Sequence, residues 1–265
     1  MSNHIAVIDI DSVAYAIGNP NKVLDEQGNP VKILSRAGNM VFQYTEKTGE
    51  ELKQSADWLM KNILTKCGCD SYIGWMKGNN TTQFRLQANP EYKQDRSKTP
   101  PIWWGFVQNY LFTYWSCKYI NDIETDDAVV ITANKLLNSF IVAIDSDVLS
   151  TPGTHFNWKT NNWITTTEEE SSLLFWKSMI TGTHNNTKGI PKKGEKYAEK
   201  LFGKWEQYGD PLHTIVFEEY INYFGEYQGI KEFYSNYVCN KLLTEKEGFV
   251  IPKPIEFKRK EINLI

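Results

Sequence analysis

The sequence lacks the marks of an exported, membrane-bound or zinc-held protein. No run approaches the roughly 20 apolar residues that a membrane helix needs, and the N-terminus has no basic stretch leading into an apolar one. A soluble, cytoplasmic protein is the expectation. Cysteine is scarce: Cys67, Cys69, Cys117 and Cys239 supply one Cys-Gly-Cys pair and no second pair at zinc-ligand spacing, so reduced thiols in or near the core are expected. His155 and His184 stand alone and read as structural or surface histidines. An excess of basic charge is missing too. Lys and Arg total 29 against 32 Asp and Glu, a net charge of −3, which excludes a protein that coats nucleic acid through overall charge. There is no internal repeat and no low-complexity segment.

What is present is a chain of 265 residues, which fits one α/β domain or one domain with a helical extension, a single continuous unit being the expectation. Charge is segregated: acids gather at Glu124–Asp127 and Asp145–Asp147, bases at Lys93–Lys98 and Lys188–Lys200. Cations held at one place with phosphates beside them would require that layout. His4–Ile10 and Ser139–Ile144 are apolar runs that end at Asp9 and Asp145, and both read as buried parallel strands that deliver an acid to one sheet edge. Asp70–Trp75 reads as another strand. The stretch from Asn19 to Gly49 reads as an irregular insertion with a hairpin around Glu26–Asn29. Helical spacing covers Glu50–Leu64, Trp103–Ser116, Asp126–Leu137, Glu168–Thr181 and Tyr197–Trp205, and most of Leu212–Leu243. The end, Phe249–Ile265, reads as an extended tail.

The chemistry lies in the acids: Asp9, then Glu124, Asp126 and Asp127, then Asp145 and Asp147. Carboxylates brought to neighbouring strand ends repel one another unless cations neutralise them, which points to hard metals with oxygen ligands, magnesium first. Two such ions about 4 Å apart activate a water and stabilise the leaving oxygen of a phosphodiester. Taken singly, Asp126 and Asp127 also read as helix caps.

In this order the motifs resemble the flap endonuclease and phage 5′→3′ exonuclease family. Val7-Ile8-Asp9-Ile10-Asp11-Ser12 is similar to its first metal-binding strand, and Phe84-Arg85 with Glu91-Tyr92-Lys93-Gln94-Asp95-Arg96 to its FR…EYKxxR segment. Glu124-Thr125-Asp126-Asp127 resembles its E-A-D-D element, Asp145-Ser146-Asp147 its D-K-D element, and Gly189–Ala198 its helix-three-turn-helix loop. Pro152-Gly153 followed by Phe156-Asn157-Trp158 is similar to the phage branch. The resemblance implies a mainly parallel α/β sheet flanked by helices, a PIN-like nuclease core over residues 1–181, and a helix-three-turn-helix and C-terminal helical region over 182–248. The tail is 249–265. It further implies Mg2+, replaceable by Mn2+, at the six acids, with Lys93, Arg96 and Arg85 on the scissile and neighbouring phosphates. Gly189, Lys192, Lys193, Gly194 and Lys196 would grip a duplex backbone, and Tyr92 would stack on an unpaired base. The expected partner is DNA with 5′ ends, flaps or nicks, or an RNA–DNA hybrid, met by a monomer in a phage-infected host.

The chain also departs from that family. Thr183 and Asn186 stand where an Asp-x-x-Asp pair is expected, so the second metal site loses two negative charges and binds hard cations more weakly. Trp75–Asn80 carries no aspartate before the FR element. Pro100 and Pro101 follow Arg96 so closely that an open or minimal gateway is expected in place of an arch. Three readings follow: an active 5′-nuclease, a binder of branched or nicked DNA that has lost efficient cleavage, and a ribonuclease of PIN type, against which the helix-three-turn-helix loop argues.

Overall fold

The computed structural model describes residues 4–36, 38–94, 100–183, 187–203 and 211–245. Arg96, Asn186, the gateway at 97–99 and the tail from 249 therefore lie outside the described residues. The chain divides into two compact units. The first comprises Met1–Gln83, Arg96–Val148 and Gly153–Thr165, and the second Phe84–Asp95, Leu149–Pro152 and Thr166–Ile265.

In the first unit a six-stranded sheet runs in the order β5-β4-β1-β6-β7-β8. Its strands are β1 (Ile5–Asp9), β4 (Ser71–Lys77), β5 (Lys118–Ile120), β6 (Ser139–Val142), β7 (Gly153–Asn157) and β8 (Asn162–Thr166). β1 pairs parallel with β4 from Ile5↔Ser71 to Asp9↔Trp75 and parallel with β6 from Ile5↔Ser139 to Ile8↔Val142. β5 adds parallel to β4 and β7 parallel to β6. A mainly parallel α/β core, as the sequence predicts, is what forms. The tight β7–β8 connection admits only a hairpin return, and Thr154 and Thr165 meet across it at 3.2 Å.

The helices on the sheet are α1 (Ile10–Gly18), α2 (Gly49–Cys67), α4 (Trp104–Trp115) and α5 (Thr125–Lys135). Alternation along β1 sends Ala6 and Ile8 into a core with Leu52 and Met60 of α2 and Val107 and Leu111 of α4. α5 packs against β1, β4 and β6. α2 starts where Thr48 and Glu51 cap one another, with Thr48 N–H donating to Glu51 at 2.7 Å, and stops at left-handed Gly68. Burial pushes the Cys67 and Cys117 thiols up to about 12, so both stay protonated. All four cysteines are free. The predicted hairpin around Glu26–Asn29 is real: Asp25 accepts from Asn29 N at 2.7 Å beneath a Leu24↔Pro30 bridge. The rest of that stretch is less irregular than the composition suggests, for β2 (Lys32–Leu34) pairs antiparallel with β3 (Met40–Phe42).

The second unit is helical: α3 (Gln83–Ala88, beginning at the boundary), α6 (Glu168–Thr181), α7 (Glu195–Phe202), α8 (Leu212–Phe224) and α9 (Glu226–Asn240). Phe175, Met179, Phe202, Val216, Tyr220, Phe233 and Tyr237 form its core. Helical spacing continues through 212–243, but Gly225, at φ 80°, breaks it into two helices. Gly229 lets them cross closely, since a Cβ there would stand 2.8 Å from the backbone of Ile221 and Tyr220. Among the described residues no helix is long and apolar enough to cross a membrane.

Candidate functional site

The connections leaving β1 and β6 lead in opposite directions, one to β4 and the other to β7. Neighbouring parallel strands that part in this way leave a crevice at their carboxyl ends, the usual ligand position in an open α/β sheet. Asp9 ends β1 there, and Asp145 follows β6. Asp9 is also the N-cap of α1, so its carboxylate sits at the positive end of a helix and accepts from Asp11 N at 3.0 Å and Ser12 N at 3.4 Å. Ser12 Oγ donates to the Asp9 carbonyl at 2.8 Å and receives Trp158 Nε1 at 3.3 Å, which ties the segment after β7 to this corner.

Asp9 is only 6 % exposed. Burial, reinforced by the negative charge of Asp11, raises its carboxyl to about 7 despite the helix-capping hydrogen bonds. Asp11, the second residue of α1, is also pushed up by burial, against hydrogen bonds from Thr125, Lys77 N and Gln108 that favour its charge. Its two oxygens accept from Lys77 N at 3.0 and 3.1 Å, from Gln108 Nε2 at 3.3 Å and from Thr125 Oγ1. Asp11, Gln108 and Thr125 were not singled out from the sequence. A signal existed for Asp11, because it stands two residues beyond Asp9 in an apolar run; Gln108 and Thr125 carry no local signal, being brought in by α4 and α5.

The other predicted ligands differ in placement. Asp127 is fully buried and accepts from Glu124 N at 3.1 Å, closing the first turn of α5. Glu124 and Asp126 are half-buried at that turn, Asp147 is half-buried and Asp145 exposed, with Asp145 accepting from Asp147 N at 3.0 Å. Among the described residues no three His, Cys, Asp or Glu side chains are gathered to hold an ion. The donor chemistry at Asp9 fits magnesium nonetheless: a buried acid beside a half-buried one disfavours its own charge, and magnesium takes one or two carboxylates and completes its shell with waters and phosphate oxygens.

In the second unit the predicted phosphate ligands are mostly engaged. Arg85 is 1 % exposed; its guanidinium donates to the Lys241 carbonyl at 2.9 Å and lies 4.4 Å from the Phe84 ring. Tyr92 is 5 % exposed, so its ring packs inside the unit and offers no open face to a base. Lys93, at φ 56°, places its ammonium 5.0 Å from that ring. Thr183 faces Thr187 and Asn240: its Oγ1 accepts from Thr187 N at 3.2 Å, and Thr187 Oγ1 donates to Asn240 Oδ1 at 2.9 Å.

The predicted helix-three-turn-helix is α6, a loop and α7. Ile190 N donates to Ile180 O at 2.9 Å, folding the loop back on the end of α6. Gly189 is required there, at φ 59°, because a Cβ would stand 2.2 Å from Gly182 N. Gly189→Ala is therefore expected to lower stability by about 3 kcal/mol, read as a shifted urea midpoint. Gly194 caps α7 with open space where a Cβ would be. Lys192 and Lys196 are exposed. Lys193 is ion-paired with Glu219, which also accepts from Tyr197 OH at 2.6 Å. Burial alone would lower the Lys193 ammonium, but these partners outweigh it and hold the charge.

The chain thus combines a mainly parallel sheet with acids at its switch point and a helical unit carrying a glycine-punctuated helix–loop–helix. The chain has the fold of the bacteriophage T5 flap endonuclease. It is 11% identical to that protein in a pseudo-enzyme–product complex with DNA and metal ions, over 90% of this chain and 89% of that one, with a TM-score of 0.61. A mutant of the T5 5′-exonuclease matches at 10% identity over 90% and 88%, with a TM-score of 0.59. No protein-family model matches the chain, and no curated protein matches it.

Proposed function

We propose that this chain is a metal-dependent 5′-nuclease that hydrolyses phosphodiesters of DNA, or of RNA in RNA–DNA hybrids, at 5′ ends, flaps or nicks, in phage replication or recombination. One observation carries the reading: Asp9 is a buried carboxylate at the switch point of the sheet, raised to about 7 beside a second, half-buried acid, in a fold shared with a nuclease solved with DNA and metal ions. Asp9 would hold Mg2+ or Mn2+, and Glu124, Asp126, Asp145 and Asp147 would add negative charge to the site. When bound, the ion supplies positive charge that stabilises an attacking or leaving oxygen at phosphorus. Lys192 and Lys196, exposed beside the open Gly194 N-terminus of α7, grip duplex phosphates independently of sequence. Lys93 and Arg96 serve the scissile phosphate. The test is a purified sample with millimolar Mn2+ on 5′-flap and nicked duplexes; release of short products from the labelled 5′ end is expected, and an inert sample sinks the reading.

A second reading, a binder of branched or nicked DNA with little cleavage, is favoured by the Thr183–Thr187–Asn240 network, which occupies the hydroxyl of Thr183 with neutral partners. Thr183→Asp with Asn186→Asp discriminates: cleavage that appears only in this double variant identifies the natural chain as chiefly a binder. Glu219→Gln frees Lys193 in either case. Duplex binding is expected to tighten about threefold at low salt, with the slope of log affinity against log salt steeper by about one, measured by fluorescence anisotropy.

A further inference from the structure

Asp11 sits where a ligand to the ion at Asp9 would be sought, yet its hydrogen bonding is that of a residue already full. A carboxylate has about four lone-pair positions. On Asp11 these are met by Lys77 N, which reaches both oxygens at 3.0 and 3.1 Å, by Gln108 Nε2 on one oxygen at 3.3 Å, and by Thr125 Oγ1 on the other. The donors come from the end of β4, from α4 and from the first residue of α5, three elements that are far apart in the chain. All three are neutral groups, so they fix the position of the negative charge without cancelling it; the exposed Lys77 ammonium is the cation that acts on it.

Resting on the nuclease reading, we propose that Asp11 is an outer carboxylate of the Asp9 cation site: its charge sets the affinity for the ion, and it makes no bond to the ion. A half-buried negative charge held beside Asp9 would be a poor choice for stability alone, since the two acids repel. Beside a divalent cation the same charge becomes attractive. Outer partners of this kind change metal affinity by about 10–100-fold in other sites. The arrangement also links ion binding to the start of α5, because the hydroxyl that Asp11 accepts from stands between Glu124 and Asp126.

Mn2+ binding to the apo protein, followed by calorimetry without DNA, tests this alongside melting in a chelating buffer. Asp11→Asn keeps the shape and removes the charge; its Mn2+ dissociation constant is expected to rise by about 10–100-fold with the apo melting temperature unchanged or raised. Thr125→Val removes one donor and leaves the charge, and is expected to hold affinity within about threefold. Asp11→Asn with native Mn2+ affinity and a lowered melting temperature overturns the proposal and makes Asp11 a structural bridge. Thr125→Val as weak as Asp11→Asn also overturns it, because bond geometry then matters more than charge, and this variant decides the question if Asp11→Asn does not fold. A wild-type protein that binds no Mn2+ at millimolar concentration overturns the nuclease site itself, whereas wild-type binding with an unaffected Asp11→Asn overturns only the role of Asp11.

Discussion

Asp9→Asn is expected to lower phosphodiester cleavage by about a thousandfold while raising thermal stability in a chelating buffer. Loss of a carboxylate that holds the ion removes several kcal/mol of transition-state stabilisation, and roughly 4 kcal/mol corresponds to a thousandfold in rate. The gain in stability has an electrostatic cause. Folding raises the Asp9 carboxyl from an ordinary 3.8 to about 7, through burial and the charge of Asp11. A group whose pKa is raised in the folded state favours folding fully below its unfolded pKa and loses that contribution as pH climbs through the folded one. Without metal, the melting temperature should therefore fall between about pH 4 and pH 7, by on the order of 10 °C, and Asp9→Asn should flatten that part of the curve. Mn2+ should restore the wild type at neutral pH and leave the variant unmoved. Calorimetric melting from pH 4 to 8, with chelator and with Mn2+, reads all of this. A wild type equally stable at pH 5 and pH 8 without metal would falsify the burial argument. Such a trade of stability for function is common where a site concentrates like charges.

Arg85→Ala is expected to unfold the second unit more readily, by about 3–4 kcal/mol, or on the order of 10 °C in melting temperature. The side chain is 1 % exposed and is among the largest fully buried ones. It lies against Phe84, donates to the Lys241 carbonyl just beyond α9, and carries on its own carbonyl a contact from Cys239 Sγ at 3.9 Å. Truncation leaves a cavity and an unsatisfied carbonyl in one place. A phosphate-binding role, the one implied by the resemblance, would instead give a large loss of cleavage with an unchanged melting temperature. Arg85→Lys separates the two further, since lysine keeps the charge but cannot reproduce the planar fork.

Elements with one strong local signal were legible in the sequence. The apolar runs that became β1 and β6 and the Glu168–Thr181 helix needed no long-range information. α1 was hidden because Ile10, Val13, Ala14 and Ile17 extend an apolar run already read as strand; the chain turns helical where Asp9 caps it. β7 and β8 were hidden because short strands with mixed polarity depend on their neighbours for pairing.

By itself the sequence determined the parallel α/β class, the order of the acidic motifs and the position of Asp9 at a strand end, because those follow from local periodicity and from where apolar runs stop. Tertiary structure alone decided which charged groups remain available. Arg85 and Lys193 carry the residue types expected of phosphate ligands, but Lys241 O just beyond α9 and Glu219 of α8 engage them. Thr183 is closed into a network with Asn240, 57 residues further along the chain, by tertiary packing rather than by local sequence. Asp11 gains its four hydrogen bonds from β4, α4 and α5. A side chain's charge is written in its residue type, whereas burial and the donors around it depend on contacts between segments distant in the chain.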